Sequence, residues 1–378
     1  MMRAEPEDDR AARLAERRAR LSPEQQSLLA QRLRPRDASA GATAAVPAAA
    51  LVAIQSSGSR PPFFCVHPAG GDVLCFQALS QHLGPDQPFY GLQSRGLAAG
   101  DEPLASIEEM AAAYRSEMTR LTPGPYHLGG WSLGGVVAFE LARQLAEAGS
   151  EVALLAIVDS TPSPGGGNPL VPPFGRGTRS PRPVDSGTLA QREAGGDVRR
   201  PAAAGAAQDD GNHWDEGAEG AEGDEGGDAR WLMDIADYLE RLWGVDLGLS
   251  YEALRALPPE SQALRFLAAM KRTSFGAAGA SLEQLRRLLR VFKTNVRAFR
   301  RYRPRPYPGP ITLFRVAAAA GEPEDAAAAA EPTLGWGALS TRPVAIETVP
   351  GDHISALAEP HVRVLAERLA ARIGGPKG

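Results

Sequence analysis

Residues 125–149 read PYHLGGWSLGGVVAFELARQLAEAG, and this stretch decides the fold. A short apolar strand runs into G-x-S-x-G, and a long amphipathic helix follows, with Gly149 at its end. Gly130 and Gly134 let the chain turn sharply, which places the Ser132 hydroxyl at the tip of the strand beside a helix N-terminus. Five-residue Gly/Ser patterns also occur in plain turns. The strand before this one and the helix after it make Ser132 a candidate nucleophile.

A serine hydroxyl attacks poorly until a base removes its proton, and the base needs a carboxylate to hold its tautomer. Both partners are expected downstream. The strand EVALLAIVD ends on Asp159, whose carboxylate is expected at the same sheet edge as Ser132, so Asp159 is the candidate acid. Glu322 and Asp325, after a later strand, rank second, and a strand-end capping role is the plainer alternative for Asp159. Among six histidines, His353 lies in a loop directly after a late strand, in VPGDHISAL, and completes the chain order Ser, Asp, His. His213 lies in a low-complexity stretch and His82 and His361 in helix-like text, while His127, inside a strand, reads as a satisfied structural histidine. Attack on an acyl carbon also creates an oxyanion, which needs preorganised backbone N–H donors. Leu133, next after the nucleophile, offers one. The loop in FFCVHPAGGDVL offers the second, at Ala69 or the neighbouring Gly70. Trp131 and Met110 are expected to pack in the core.

Outward from this motif, apolar segments alternate with amphipathic ones, as expected of strands linked by helices over a mostly parallel, doubly wound α/β sheet. Strands are expected at 63–66, 89–92, 127–130, 152–158, 311–316 and 345–349, with helices near 76–83, 107–121 and 136–148. Ser106 and Glu109 form a capping box. Residues 161–303 read as an insertion into the sheet domain. Its first part, 161–229, is rich in Gly, Pro, Asp and Glu and is expected to lack order. Helical periodicity returns at 231–243, 260–272 and 282–302, which suits a helical lid over a catalytic edge. Residues 1–36 read as a helical arm, with leucines spaced among arginines and a capping box at Ser22 and Gln25. The arm is either solvated or docked to a partner. Residues 37–60 read as a linker, and the sheet domain as 61–373.

The chain has 378 residues, 43% of them hydrophobic, with a formal net charge of -4. These values suit a globular protein and imply no nucleic-acid partner. Only Cys65 and Cys75 occur, so neither a disulfide framework nor a zinc spacing is present and no metal is expected. The charged N-terminus lacks an apolar core, and no stretch is long and apolar enough for a membrane span. The expectation is a cytoplasmic protein with no membrane partner.

HPAGG, YGLQSRGL (Tyr90–Leu97), GGWSLGG, LLAIVDS and VPGDHISAL, in this order, resemble the thioesterase domains that end nonribosomal peptide and polyketide synthetases, over about residues 61–373. The resemblance implies an α/β-hydrolase fold with Ser132, Asp159 and His353 as the catalytic triad and Ala69 with Leu133 as the oxyanion hole. It implies release of an acyl or peptidyl chain, by hydrolysis or cyclisation, from the phosphopantetheine of a partner carrier protein, with no cofactor of the enzyme's own. No carrier segment with a GGxS-type serine precedes Asp37, so either action in trans or a detached domain is expected, and LSPEQQSLLAQRL is similar to linkers between synthetase domains. The competing readings are an editing thioesterase, a small-ester carboxylesterase, and a non-catalytic synthetase-binding protein.

Overall fold

Strand β2 (Phe63–Val66) is buried along its whole length, and its side chains alternate between two cores. Phe64 and Val66 face one and Phe63 and Cys65 the other, as the two-residue period of a central strand requires. The computed structural model describes residues 50–162, 227–244, 246–273, 281–316 and 331–374, all within one unit, Pro47–Gly378. The expected arm over 1–36 lies outside the described residues. So do His213, Glu322 and Asp325 and most of the expected low-complexity segment.

The other strands are β1 (Leu51–Gln55), β3 (Phe89–Leu92), β4 (Tyr126–Trp131), β5 (Val152–Val158), β6 (Thr312–Val316) and β7 (Ala345–Val349). They form a seven-stranded sheet in the order β1-β3-β2-β4-β5-β6-β7. All pairs are parallel except β1 with β3. The mostly parallel α/β sheet expected from the sequence is therefore found. On one face pack α2 (Ile107–Leu121) and α3 (Leu133–Glu147). On the other pack α1 (Gln77–Leu83) and α8 (Val362–Ile373). Half of the expected capping box forms: Ser106 Oγ accepts from Glu109 N at 3.2 Å, while the Glu109 carboxylate accepts from Ala105 N in place of Ser106 N.

Between β5 and β6 the described residues form α4 (Ala229–Trp243), α5 (Tyr251–Arg255), α6 (Pro259–Met270) and α7 (Leu282–Arg301). They share a third core that includes Leu232, Ile235, Phe266, Leu285 and Leu289. A full capping box at Ser281 and Gln284 starts α7. Among the described residues no helix is long and apolar enough to cross a membrane.

One boundary is corrected. The linker expected over 37–60 contains β1, so the sheet begins ten residues before the expected domain start at 61. LVAIQ is short and follows an Ala-rich run, with no local sign of a strand. Its order comes from distant partners: it pairs with β3, and the Glu117 carboxylate of α2 accepts from Ala50 N at 3.0 Å and Leu51 N at 2.8 Å. The five-residue α5 was likewise not expected, being too short for helical periodicity to show.

A buried ion pair within α3 is tied to Tyr302, the residue just after α7. Glu140 receives Arg143 through two hydrogen bonds of 2.6 and 2.8 Å, and the Tyr302 hydroxyl donates to it at 2.9 Å. Burial pushes the Glu140 carboxyl up, but the hydrogen bonds from Arg143, Gln144 and Tyr302 outweigh it and hold the pKa below its usual value. Arg143 also pairs with the exposed Glu147 carboxylate, so removal of Glu140 leaves its buried charge with that one partner alone. Glu140→Ala is expected to cost about 3 kcal/mol in urea unfolding, against less than about 0.5 kcal/mol for the exposed Glu147→Ala. Equal costs would show that the buried pair contributes nothing special.

Candidate active site

The turn between β4 and α3 is built on close backbone approach. A Cβ on Gly130 would lie 2.0 Å from the Gly134 carbonyl oxygen, and one on Gly134 would lie 2.2 Å from that of Val66. No side chain fits either position. Ser132 between them has φ 61° and ψ -131°, a conformation L-residues rarely adopt and one that costs about 1–3 kcal/mol. Its backbone is held by Ser132 N donating to Val158 O at 3.2 Å and Gly135 N donating to Ser132 O at 3.0 Å.

Asp159 follows directly on β5, the neighbour of β4, and is buried. Its φ of 42° turns the chain out of the sheet, and its N–H donates to Phe314 O at 2.8 Å. His353 comes from the loop after β7. Its Nδ1–H donates to Asp159 Oδ2 at 2.7 Å, and the Ser132 hydroxyl donates to its Nε2 at 3.1 Å. The carboxylate can only accept, which requires the proton on Nδ1 and leaves Nε2 free to receive one. Three segments far apart in the chain thus meet in one hydrogen-bonded relay, in the order expected from the sequence.

Leu133 is the first residue of α3, so its N–H has no acceptor within the helix. Ala69 and Gly70 lie in the loop after β2, and the Val66 and His67 carbonyls of that strand end press against the turn at Gly134. The loop is closed by Gly71 N donating to Pro68 O at 2.9 Å, and the Asn295 side chain of α7 donates to Ala69 O at 3.0 Å.

His67 was not singled out in the sequence, yet it braces this loop. It is fully buried, with Nδ1 2.7 Å from Pro68 O and Nε2 2.7 Å from the Tyr114 hydroxyl. The carbonyl requires a proton on Nδ1, so Nε2 accepts from Tyr114. Burial lowers the His67 pKa from 6.5 to about 4, against the opposing hydrogen bond to Pro68. The available signal was the position of His67 at the end of an all-apolar strand, where a polar ring needs partners.

The other sequence expectations divide. Met110 is core, as expected. Trp131 is core too, but its indole N–H also donates to His353 O at 2.9 Å. His127 is buried within β4, yet its Nδ1 has no hydrogen-bond partner among the described residues, so "satisfied" is corrected. His82 pairs with Glu359 at 2.6 Å. His361 precedes α8. Cys65 and Cys75 are buried, and burial pushes both thiols well above their usual pKa, which makes them poor nucleophiles.

Residues 61–168 match the family model of the thioesterase domain. The match spans 108 of the 378 residues. The chain is 46% identical over 114 residues to the dimodular nonribosomal peptide synthase of Bacillus subtilis (strain 168), covering 30% of this chain and 5% of the relative. It is 48% identical over 111 residues to malpinin synthetase of Mortierella alpina, covering 29% of this chain and 1% of the relative. The chain thus spans a small fraction of these multidomain relatives. Among solved structures, the chain is similar to holo-AB3403, a four-domain nonribosomal peptide synthetase bound to AMP and glycine. The TM-score there is 0.65 at 23% identity, over 93% of this chain and 22% of that one. It is also similar to the Vlm2 thioesterase domain, with a TM-score of 0.54 at 24% identity over 88% of this chain and 100% of that one. These likenesses show a shared fold, that of thioesterase domains of the α/β-hydrolase type.

The low pKa of His67 makes stability depend on pH. Protonation favours the unfolded chain, so the contribution is complete above pH 6.5 and is lost as pH falls toward about 4. A fall from 6.5 to about 4 corresponds to about 3 kcal/mol. Urea unfolding across this range is expected to show a steeper loss for the wild type than for His67→Gln. Parallel curves would contradict the assignment.

Proposed function

We propose that this chain is a serine thioesterase that releases an acyl or peptidyl chain from the phosphopantetheine thiol of a carrier protein of a peptide or polyketide synthetase. Ser132 is the nucleophile, His353 the base, Asp159 the orienting acid, and the N–H groups of Leu133 and Ala69 the oxyanion donors. The observation that carries this reading is the relay from Asp159 through His353 to Ser132 Oγ, set in a segment that matches the thioesterase family model. The enzyme needs no cofactor of its own, since the pantetheine arm arrives with the substrate, and we place its action in trans and in the cytoplasm.

In the first half-reaction His353 Nε2 takes the Ser132 proton as Oγ attacks the thioester carbon. The tetrahedral intermediate puts its charge on the former carbonyl oxygen, where the two N–H donors stabilise it; a single such donor is worth about 3–4 kcal/mol. The C–S bond then breaks, and the imidazolium returns the proton to the departing thiol. In the second half-reaction His353 deprotonates a water, or a hydroxyl or amine of the acyl chain, which attacks the ester; the ester C–O bond breaks and the imidazolium returns the proton to Ser132 Oγ. Water gives the free acid, and an internal nucleophile gives a ring. Throughout, the Asp159 carboxylate holds the proton on Nδ1 and stabilises the imidazolium.

The decisive comparison is between an acyl-carrier thioester and a nitrophenyl ester of the same acyl group. The wild type is expected to have the higher kcat/KM on the carrier substrate, and Ser132→Ala is expected to lose at least about 10³-fold on both. Preference for the nitrophenyl ester would support a small-ester carboxylesterase. Turnover retained by Ser132→Ala would overturn the nucleophile assignment. A folded wild type with no turnover and no labelling by a fluorophosphonate would indicate a synthetase-binding protein without activity.

A further inference from the structure

We propose that helix α4 of the insertion positions His353 for proton transfer, acting through Tyr238 and Arg241. The inference rests on the proposed role of His353 and adds positioning residues to it.

Asp159 orients the imidazole, but the loop that carries it needs its own restraints. On one side, the His353 carbonyl accepts the Trp131 indole N–H at 2.9 Å, and the two rings lie 5.3 Å apart. On the other, Asp352 brackets the turn. Its Oδ1 accepts from Ile354 N at 2.9 Å and Ser355 N at 3.0 Å, and its own N–H donates to Ser355 Oγ at 2.8 Å. His353 is therefore held by an indole ahead of the nucleophile and by a carboxylate beside it.

Helix α4 touches both restraints. Tyr238 stacks on Trp131 with ring centroids 6.0 Å apart and an interplanar angle of 23°. Arg241, three residues further on and so on the same helix face, pairs with Asp352 at 2.7 Å. Burial raises the Asp352 pKa, but the Ser355 N–H, the Arg241 charge and the Ile354 N–H outweigh it and keep the carboxylate ionised. The Tyr238 ring also packs against the core that holds both Trp131 and Cys75.

Magnitudes separate a positioning role from a structural one. The side chains of Arg241 and Asp352 are 41% and 56% exposed, and an exposed pair contributes at most about 1 kcal/mol to stability. Its loss leaves the protein folded. Proton transfer is less forgiving, because a displacement of about 1 Å in a catalytic group can cost about 10²-fold in rate. The pair therefore matters more for rate than for stability.

The test measures hydrolysis of butyryl-pantetheine by the full chain, with Ser132→Ala run in parallel. Arg241→Met is expected to lower kcat about tenfold, with KM changed less than about twofold and Tm by only a few degrees, and Tyr238→Ala to lower kcat by as much with a larger fall in Tm. The conservative Arg241→Lys and Tyr238→Phe are expected to recover most of that rate. Unchanged kcat, a rise in KM alone, or a kcat loss that tracks Tm without recovery by the conservative changes would overturn the role of α4 while leaving the nucleophile in place. Turnover that survives Ser132→Ala would overturn both.

Discussion

The structure turns on one tight crossing of backbone. Gly134 lies so close to the Val66 carbonyl, and Gly130 so close to the Gly134 carbonyl, that neither tolerates a Cβ, and Ser132 between them is forced to positive φ. That strain is sustained because β4 is flanked by β2 and β5 and α3 is almost wholly buried. The same crossing makes the site possible: it lifts the Ser132 hydroxyl out of the sheet edge, leaves the Leu133 N–H without a helical acceptor, and brings the loop after β2 against the turn. A looser turn would leave Ser132 as one more hydroxyl at a helix start.

The remaining pieces reach this point along the parallel strands. Each of β2, β4, β5 and β7 ends on the same edge, and the loops or residues that follow them carry Ala69, Ser132, Asp159 and His353. The rigid part of the relay is Asp159, buried and tied to β6 by its own N–H. His353 is the adjustable part, since it sits on a loop restrained by side chains rather than by sheet pairing. This asymmetry gives the proposed part played by α4 its physical sense. The insertion contacts the member of the relay whose position the sheet does not determine.

Most of the fold and the relay could be read in the sequence, for an identifiable reason. Strands β2, β5 and β7 are marked by their apolar pattern, Ser132 by the glycines that its turn demands, and Asp159 and His353 by falling just after strands in the right order. What escaped depends on distance in space. LVAIQ becomes β1 only against Leu92 and Glu117, and α5 is too short to show a period. The contacts of His67 with Tyr114, of Asn295 with Ala69 and of Trp131 with the His353 carbonyl join segments up to 226 residues apart, and no local pattern announces them. Trp131 shows the limit well. Its burial was expected, but the direction of its one N–H was not.

The account stands or falls on an ester at Ser132. Intact-protein mass spectrometry after brief mixing with an acyl-carrier substrate is predicted to show the chain heavier by the acyl group less one hydrogen. Peptide mapping is predicted to place the increment on Ser132, and Ser132→Ala to abolish it. An adduct at any other residue, or turnover of the carrier thioester by rapid mixing with no adduct at any time, would contradict the proposed acyl-enzyme.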